Sequence, residues 1–129
     1  MEVRNEEVRI ERTGKPALRF DGQVVAQSNG HWAGGREQNR WHDLRLYRTD
    51  GGQWVLHIEY STYWEGELEH VWAEQVADVR QALASYDPCQ VLVGAGASIE
   101  KAKHWVARRY AEQVRELLSG VRDADEVIK

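Results

Sequence analysis

Three groups of residues in this chain have types and spacing that could do chemistry. The first is Val91 to Ser98, VLVGAGAS. An apolar run, then Gly94-x-Gly96, then a helix start is the arrangement in which glycines let backbone approach a phosphate and a helix N-terminus supplies N–H donors. Gly94, Gly96 and Ser98 are the cofactor-binding candidates. The pattern is incomplete, because Ile99 stands where a third glycine belongs and no strand–helix–strand unit precedes it. The same residues also suit a small-residue hinge between two helical segments, with Asp87 capping and Pro88 at a first helical position.

The second group is the histidines: His31, His42, His57, His70 and His104. None shows the H-x-x-x-H or H-E-x-x-H spacing of a metal site, so no metal is called for. His57 stands out because Arg45, Asp43 and Glu59 share its predicted sheet face. Arg45, His57 and Glu59 could act as a base with orienting groups. They could equally form a solvated sheet face with cross-strand ion pairs worth roughly a few tenths of a kcal/mol each. Ser61 and Thr62 lie in a strand without a glycine elbow, and Cys89 has no cation within four residues, so nucleophilic catalysis gains little support.

The third group is basic and aromatic. Ser28 to Asn39 holds three glycines and no periodicity, which reads as a long loop. In and beside it lie Trp32, Arg36, Arg40 and Trp41. Arginine beside exposed aromatics can hold single-stranded nucleic acid or anchor a protein partner. On the outer face of the last predicted helix, Lys101, His104, Arg108 and Arg115 fall within about 60° of one another at ~100° per residue. Glu112 interrupts that stripe.

The elements that must position these groups centre on Trp41 to Glu65. Leu44 and Leu46 alternate with Asp43, Arg45 and Tyr47. Beyond Asp50-Gly51-Gly52, Trp54, Leu56, Ile58 and Tyr60 alternate with Val55, His57 and Glu59. Such alternation on both sides of a glycine-bearing turn is a β-hairpin. A three-residue loop with Gly52 in the left-handed region sets Leu46 opposite Leu56 and Leu44 opposite Ile58. Before it, a strand is predicted over Glu6 to Arg12, and a hairpin over Ala17 to Gln27 turning at Asp21-Gly22. After it, Trp72, Val76, Val79 and Leu83 have helical spacing, predicting a helix over Val71 to Ser85. Ser98 to Leu118 is a second helix with Ala102, Val106, Tyr110, Gln113, Val114 and Leu117 inward and Gly120 at its end. Trp54 and Trp105 fit core faces. Strands first and helices last predict α+β: an antiparallel sheet of four to five strands, then two or three helices on one face and a wet second face. Residues 1–120 read as a single domain and 121–129 as a charged tail.

Composition bounds the function. The chain has 129 residues, a formal net charge of −4, six tryptophans, one phenylalanine and one cysteine. The acidic balance argues against general nucleic-acid affinity. One cysteine excludes an internal disulfide and a cysteine-based zinc site. No apolar run reaches the ~20 residues of a membrane span, and the expected compartment is the cytoplasm. Many tryptophans suit either a small core filled by large residues or an aromatic contact surface.

LRFDG (18–22) and RWHDLRLYRTDGGQWVLH (40–57) are similar to the core of small bacterial proteins of the EXLDI type. That resemblance covers Leu18 to Ser61. It implies a sheet built on the central hairpin, a bacterial or mobile-element setting, and a regulatory or binding role, with no catalytic residues to carry over. Separately, the GAGAS segment resembles the start of sirtuin-like NAD-consuming domains over eight residues. The leading expectation is a non-enzymatic binding protein without a cofactor. It would contact a protein or nucleoprotein complex through Trp32, Arg36, Arg40 and Trp41, as part of a bacterial defence or counter-defence system. A homodimer would cover an edge strand or a tryptophan surface. The alternative is a nucleotide-binding sensor or small enzyme using the VLVGAGAS turn.

Overall fold

The alternation between Trp41 and Tyr60 becomes the middle of a five-stranded sheet. Its strands are β1 (Glu6–Arg12), β2 (Lys15–Asn29), β3 (Arg40–Thr49), β4 (Trp54–Thr62) and β5 (His70–Val76), paired antiparallel in chain order. Two helices follow, α1 (Val79–Ser85) and α2 (Ile99–Ile128), with a short 3-10 turn at Gln90–Leu92 between them. The structure, a computed structural model, describes residues 6–30, 40–64, 66–92 and 99–128, without the side chains of Ile99, Lys101 and residues 122–128.

The hairpin register is the expected one: Leu46 faces Leu56 and Leu44 faces Ile58. Gly52 takes φ +79°, and its N–H donates to the Thr49 carbonyl at 2.9 Å. Leu44, Leu46, Leu56 and Ile58 are fully buried beneath the helices, with Leu83 of α1 and Leu117 of α2. Burying each such side chain stabilises the fold by roughly 1.5–3 kcal/mol before ordering entropy is counted. Within α2, Val106, Tyr110, Gln113 and Leu117 are buried, as their spacing predicts.

The second face is not wet. Ile10, Tyr47, Val55 and Ala73 form another buried cluster, packed by Val8, Leu18, Phe20 and Val71. These residues come from all five strands, so the sheet curls and buries its inner face against itself. The fifteen-residue β2 makes the curl. Its first half pairs with β1 and its second half with β3, with a bulge between Val24 and Ala26. Gly22 sits at the changeover, where a Cβ would stand 2.5 Å from the Arg48 carbonyl oxygen. Asp21-Gly22 is therefore a bend inside one strand, and not the hairpin turn its dipeptide suggests. The turn falls at Thr13–Gly14 instead. The curl closes where Thr13 N–H donates to the Val71 carbonyl at 3.0 Å and Val71 N–H donates to Thr13 Oγ1 at 2.9 Å. Arg12 binds the Ala73 carbonyl and Glu74, and Lys15 also pairs with Glu74.

Two helix boundaries also differ from expectation. His70–Val76 is strand β5, hydrogen-bonded to β4, and α1 starts only at Val79, capped by Asp78. The i, i+4 spacing of Trp72 and Val76 is coincidental, and β-branched residues beside an open strand edge extend the sheet. Gly120 lies inside α2, where it packs at Ala26. Trp54 packs on the core, but Trp105 is 49% exposed.

A polar clamp fixes α2 on the sheet. The buried Gln113 amide donates to the Ser28 and His42 carbonyls at 3.1 and 2.7 Å. Ser28 Oγ donates to Glu116 at 2.6 Å, and that bond chiefly holds the Glu116 carboxyl below its ordinary value. Gly30 makes room, since a Cβ there would lie 2.3 Å from the His42 carbonyl oxygen and 3.1 Å from Gln113 Nε2. Gly30→Ala is expected to cost more than about 2 kcal/mol, read as a lower midpoint in urea unfolding. An unchanged midpoint would show that α2 docks without this clamp.

Candidate interaction site

One end of the sheet is built around a desolvated ion pair. Arg40 begins β3 and faces Thr62 near the end of β4, with Tyr60 two residues earlier on the same side. The chain then turns, with Glu67 N–H donating to the Trp64 carbonyl at 3.3 Å, and brings Glu67 under Arg40. Arg40 Nη2 donates to Glu67 at 2.6 Å, and Arg40 Nε at 3.0 and 3.1 Å to its two oxygens. Tyr60 OH and Thr62 Oγ1 donate to the same carboxylate at 2.9 and 2.8 Å. The two charged side chains are only 14% and 12% exposed. Burial alone would raise the Glu67 carboxyl, but the bonds from Arg40, Thr62 and Tyr60 outweigh it and hold it below its ordinary value. Burial, then the bond to Glu67, pushes the Tyr60 phenol up. Removing either charge would strand the other in a dry site, which costs roughly 3–5 kcal/mol.

This anchor holds aromatic side chains in place at the surface. The Arg40 guanidinium lies 5.1 Å from the Trp64 ring centroid. Trp41 and Tyr63 meet with ring centroids 4.9 Å apart. Tyr63, Trp64 and Leu68 are 65%, 51% and 83% exposed, yet each lies within two residues of a group bonded in the anchor. Large exposed apolar side chains gathered together mark interaction surfaces. Tryptophan, tyrosine and arginine are the residue types that carry most binding energy.

Behind the surface a row of titratable rings crosses three strands: His42 on β3, Tyr60 on β4 and His70 on β5. His42 is buried among Tyr60, Tyr86 and Tyr110, with ring centroids 5.2 to 5.9 Å away. Burial first, then His70, lowers its pKa to about 4. Cys89 donates its S–H to the Lys103 carbonyl at 3.4 Å, and burial pushes its thiol up, away from the thiolate a nucleophile needs.

The other sequence candidates divide. Arg40 and Trp41 belong to the anchored end, while Trp32, Arg36, Gly94, Gly96 and Ser98 lie outside the described residues. His104, Arg108 and Arg115 are exposed on α2, and the Lys101 side chain lies outside the description. Glu112 pairs with Arg109, and among the described residues Arg108 and Arg115 form no ion pair. Arg45, His57 and Glu59 line up as the register predicted, but His57 does not face solvent. It is 7% exposed, stacked on Tyr47 at 6.4 Å, and neither ring nitrogen has a hydrogen-bond partner among the described residues. Burial first, then the Arg45 charge, lowers its pKa to about 4. Asp43 accepts from Gly30 N–H at 3.0 Å instead of orienting His57. Sequence reasoning does not single out Glu67, Tyr63, Trp64 or Leu68 as site residues: Trp64 is one of several tryptophans near strand ends, and Glu67 with Glu65 reads as an ordinary acidic turn. Nothing local separates Glu67 from the other acidic residues of that turn, since its role comes from Arg40, 27 positions away.

Among the described residues no group of three His, Cys, Asp or Glu side chains could hold a metal ion, and no helix is long and apolar enough to cross a membrane. Comparison of the chain with protein-family models, curated proteins and solved structures finds no match.

The two buried histidines fix a pH dependence. Each has a folded pKa below its ordinary value of 6.5, so the neutral form is favoured in the fold. Their contribution is complete above about pH 6.5 and is lost as pH falls towards about 4, roughly 3 kcal/mol for each group. Urea unfolding followed across that window should show the loss. A flat profile would mean that these imidazoles are hydrated in solution.

Proposed function

We propose that this chain is a non-enzymatic binding protein that engages a protein partner through its anchored aromatic end. The observation that carries the reading is the exposure of Tyr63, Trp64 and Leu68 around an ion pair whose acceptors are all used. Rings held by their neighbours lose little freedom on binding, so more of their contact energy appears as affinity. The titratable groups behind the surface fit a structural role better than a catalytic one. His42 and His57 are locked neutral in dry surroundings, and the Tyr60 phenol and Cys89 thiol are pushed towards their protonated forms. A net charge of −4 favours a protein over a nucleic-acid partner. The likeness of residues 18–61 to EXLDI-type proteins is in keeping with a regulatory role in a bacterial or mobile-element setting. A second copy of the chain is one partner this surface would accept.

Trp64→Ala and Tyr63→Ala are expected to weaken partner capture by at least about tenfold each, the loss typical of a binding hot spot, with unfolding midpoints close to that of the parent. Val24→Ala serves as the control, because Val24 is also exposed but belongs to β2, outside the anchored end. Light scattering on the same variants reads whether the partner is a second copy. Equal capture by all three variants would overturn the reading.

A further inference from the structure

Next to the exposed aromatics the surface opens into a cavity of about 440 Å³. Its walls include the apolar side chains of Leu68 and Val91 and the polar groups of Glu67, Glu69, His70 and Gln90. The charge of this lining is one-sided: two carboxylates and no lysine or arginine among the described residues. Glu67 already spends its charge on Arg40. Glu69 is exposed and forms no ion pair among the described residues. The cavity thus combines apolar walls, one uncompensated carboxylate and the Gln90 side-chain amide.

We propose that this cavity receives a lysine side chain of the protein partner. The inference rests on the binding reading above and names the chemistry of the partner's anchor. A lysine has an apolar stem of four methylenes and a compact head of three N–H donors. The stem suits Leu68 and Val91, as long basic side chains bury their methylenes and keep the charge at a polar rim. The ammonium finds acceptors in the Glu69 carboxylate and the Gln90 side-chain carbonyl. The acidic net charge of the chain also draws a basic partner towards it.

The test uses the full chain and two small probes, Nα-acetyl-lysine methylamide and its Nε-acetylated form, which keeps the stem and loses the charge. Amide shifts of Leu68 and Gln90 and the ring shifts of His70 are followed by NMR during titration. The proposal expects saturable shifts at these residues with the charged probe and none with the acetylated one. Glu69→Gln should weaken the charged probe roughly two- to fivefold, the size of a partly exposed ion pair. Because Glu69 is exposed and makes no ion pair among the described residues, that variant should keep the parent unfolding midpoint. Absence of shifts with the charged probe, equal response to both probes, or indifference to Glu69→Gln would each overturn the lysine assignment. The readout is independent of partner capture by the Trp64 and Tyr63 variants, so a failed lysine assignment and a failed aromatic surface are told apart.

Discussion

The coiling of β2 is the constraint from which the rest of the architecture follows. A five-stranded antiparallel sheet with helices on one side must do something with its other side. Here a fifteen-residue strand serves two neighbours in turn, and the sheet rolls until the β1–β2 turn reaches the start of β5. Gly22 makes that roll sterically feasible, because the backbone of β3 passes where a side chain would stand. The result is two buried clusters, one under the helices and one inside the curl. A chain of this length gains from burying both faces, since surface-to-volume scaling leaves small domains little to spare.

Rolling the sheet also decides what becomes of its polar side chains. His57 would be solvated on a flat sheet. On the rolled one it is sealed against Tyr47 and kept neutral. At the open end the opposite occurs. Strand ends beyond the roll leave Arg40 and Glu67 to satisfy one another with help from Tyr60 and Thr62. A desolvated pair of this kind adds little net stability compared with apolar packing, but it tolerates no missing member and so holds one geometry. That rigidity steadies the exposed Trp64 ring against Arg40, at the end of the sheet for which we propose a partner. The cavity at that end shares Glu67 with the anchor, so surface and cavity are shaped by the same carboxylate.

Much of this was legible in the chain. The central hairpin, its register and its glycine turn follow from period-two alternation, because a one-residue slip would put leucines in water. The inward stripe of α2 follows in the same way from a period near 3.6, and the apolar points among charges mark β1 over Glu6–Arg12. The failures share a cause. Asp21-Gly22 is a strong turn signal, yet a neighbouring strand required glycine for close approach and the chain stayed extended. Trp72 and Val76 match a helix face, yet the edge of β4 offered hydrogen bonds that a helix would have left unused. Gly120 reads as a helix end, yet it is a contact point for Ala26.

By itself, then, the amino-acid order determined which residues are paired locally, which faces are apolar, and that strands would precede helices. Those properties depend on neighbours a few positions apart, where side-chain period and turn geometry act directly. Only the tertiary structure decided that both faces of the sheet are covered, that His57 is dry, and that Glu67 joins Arg40. Such outcomes depend on long-range approach and on desolvation, and desolvation is set by whatever else fills the surrounding space.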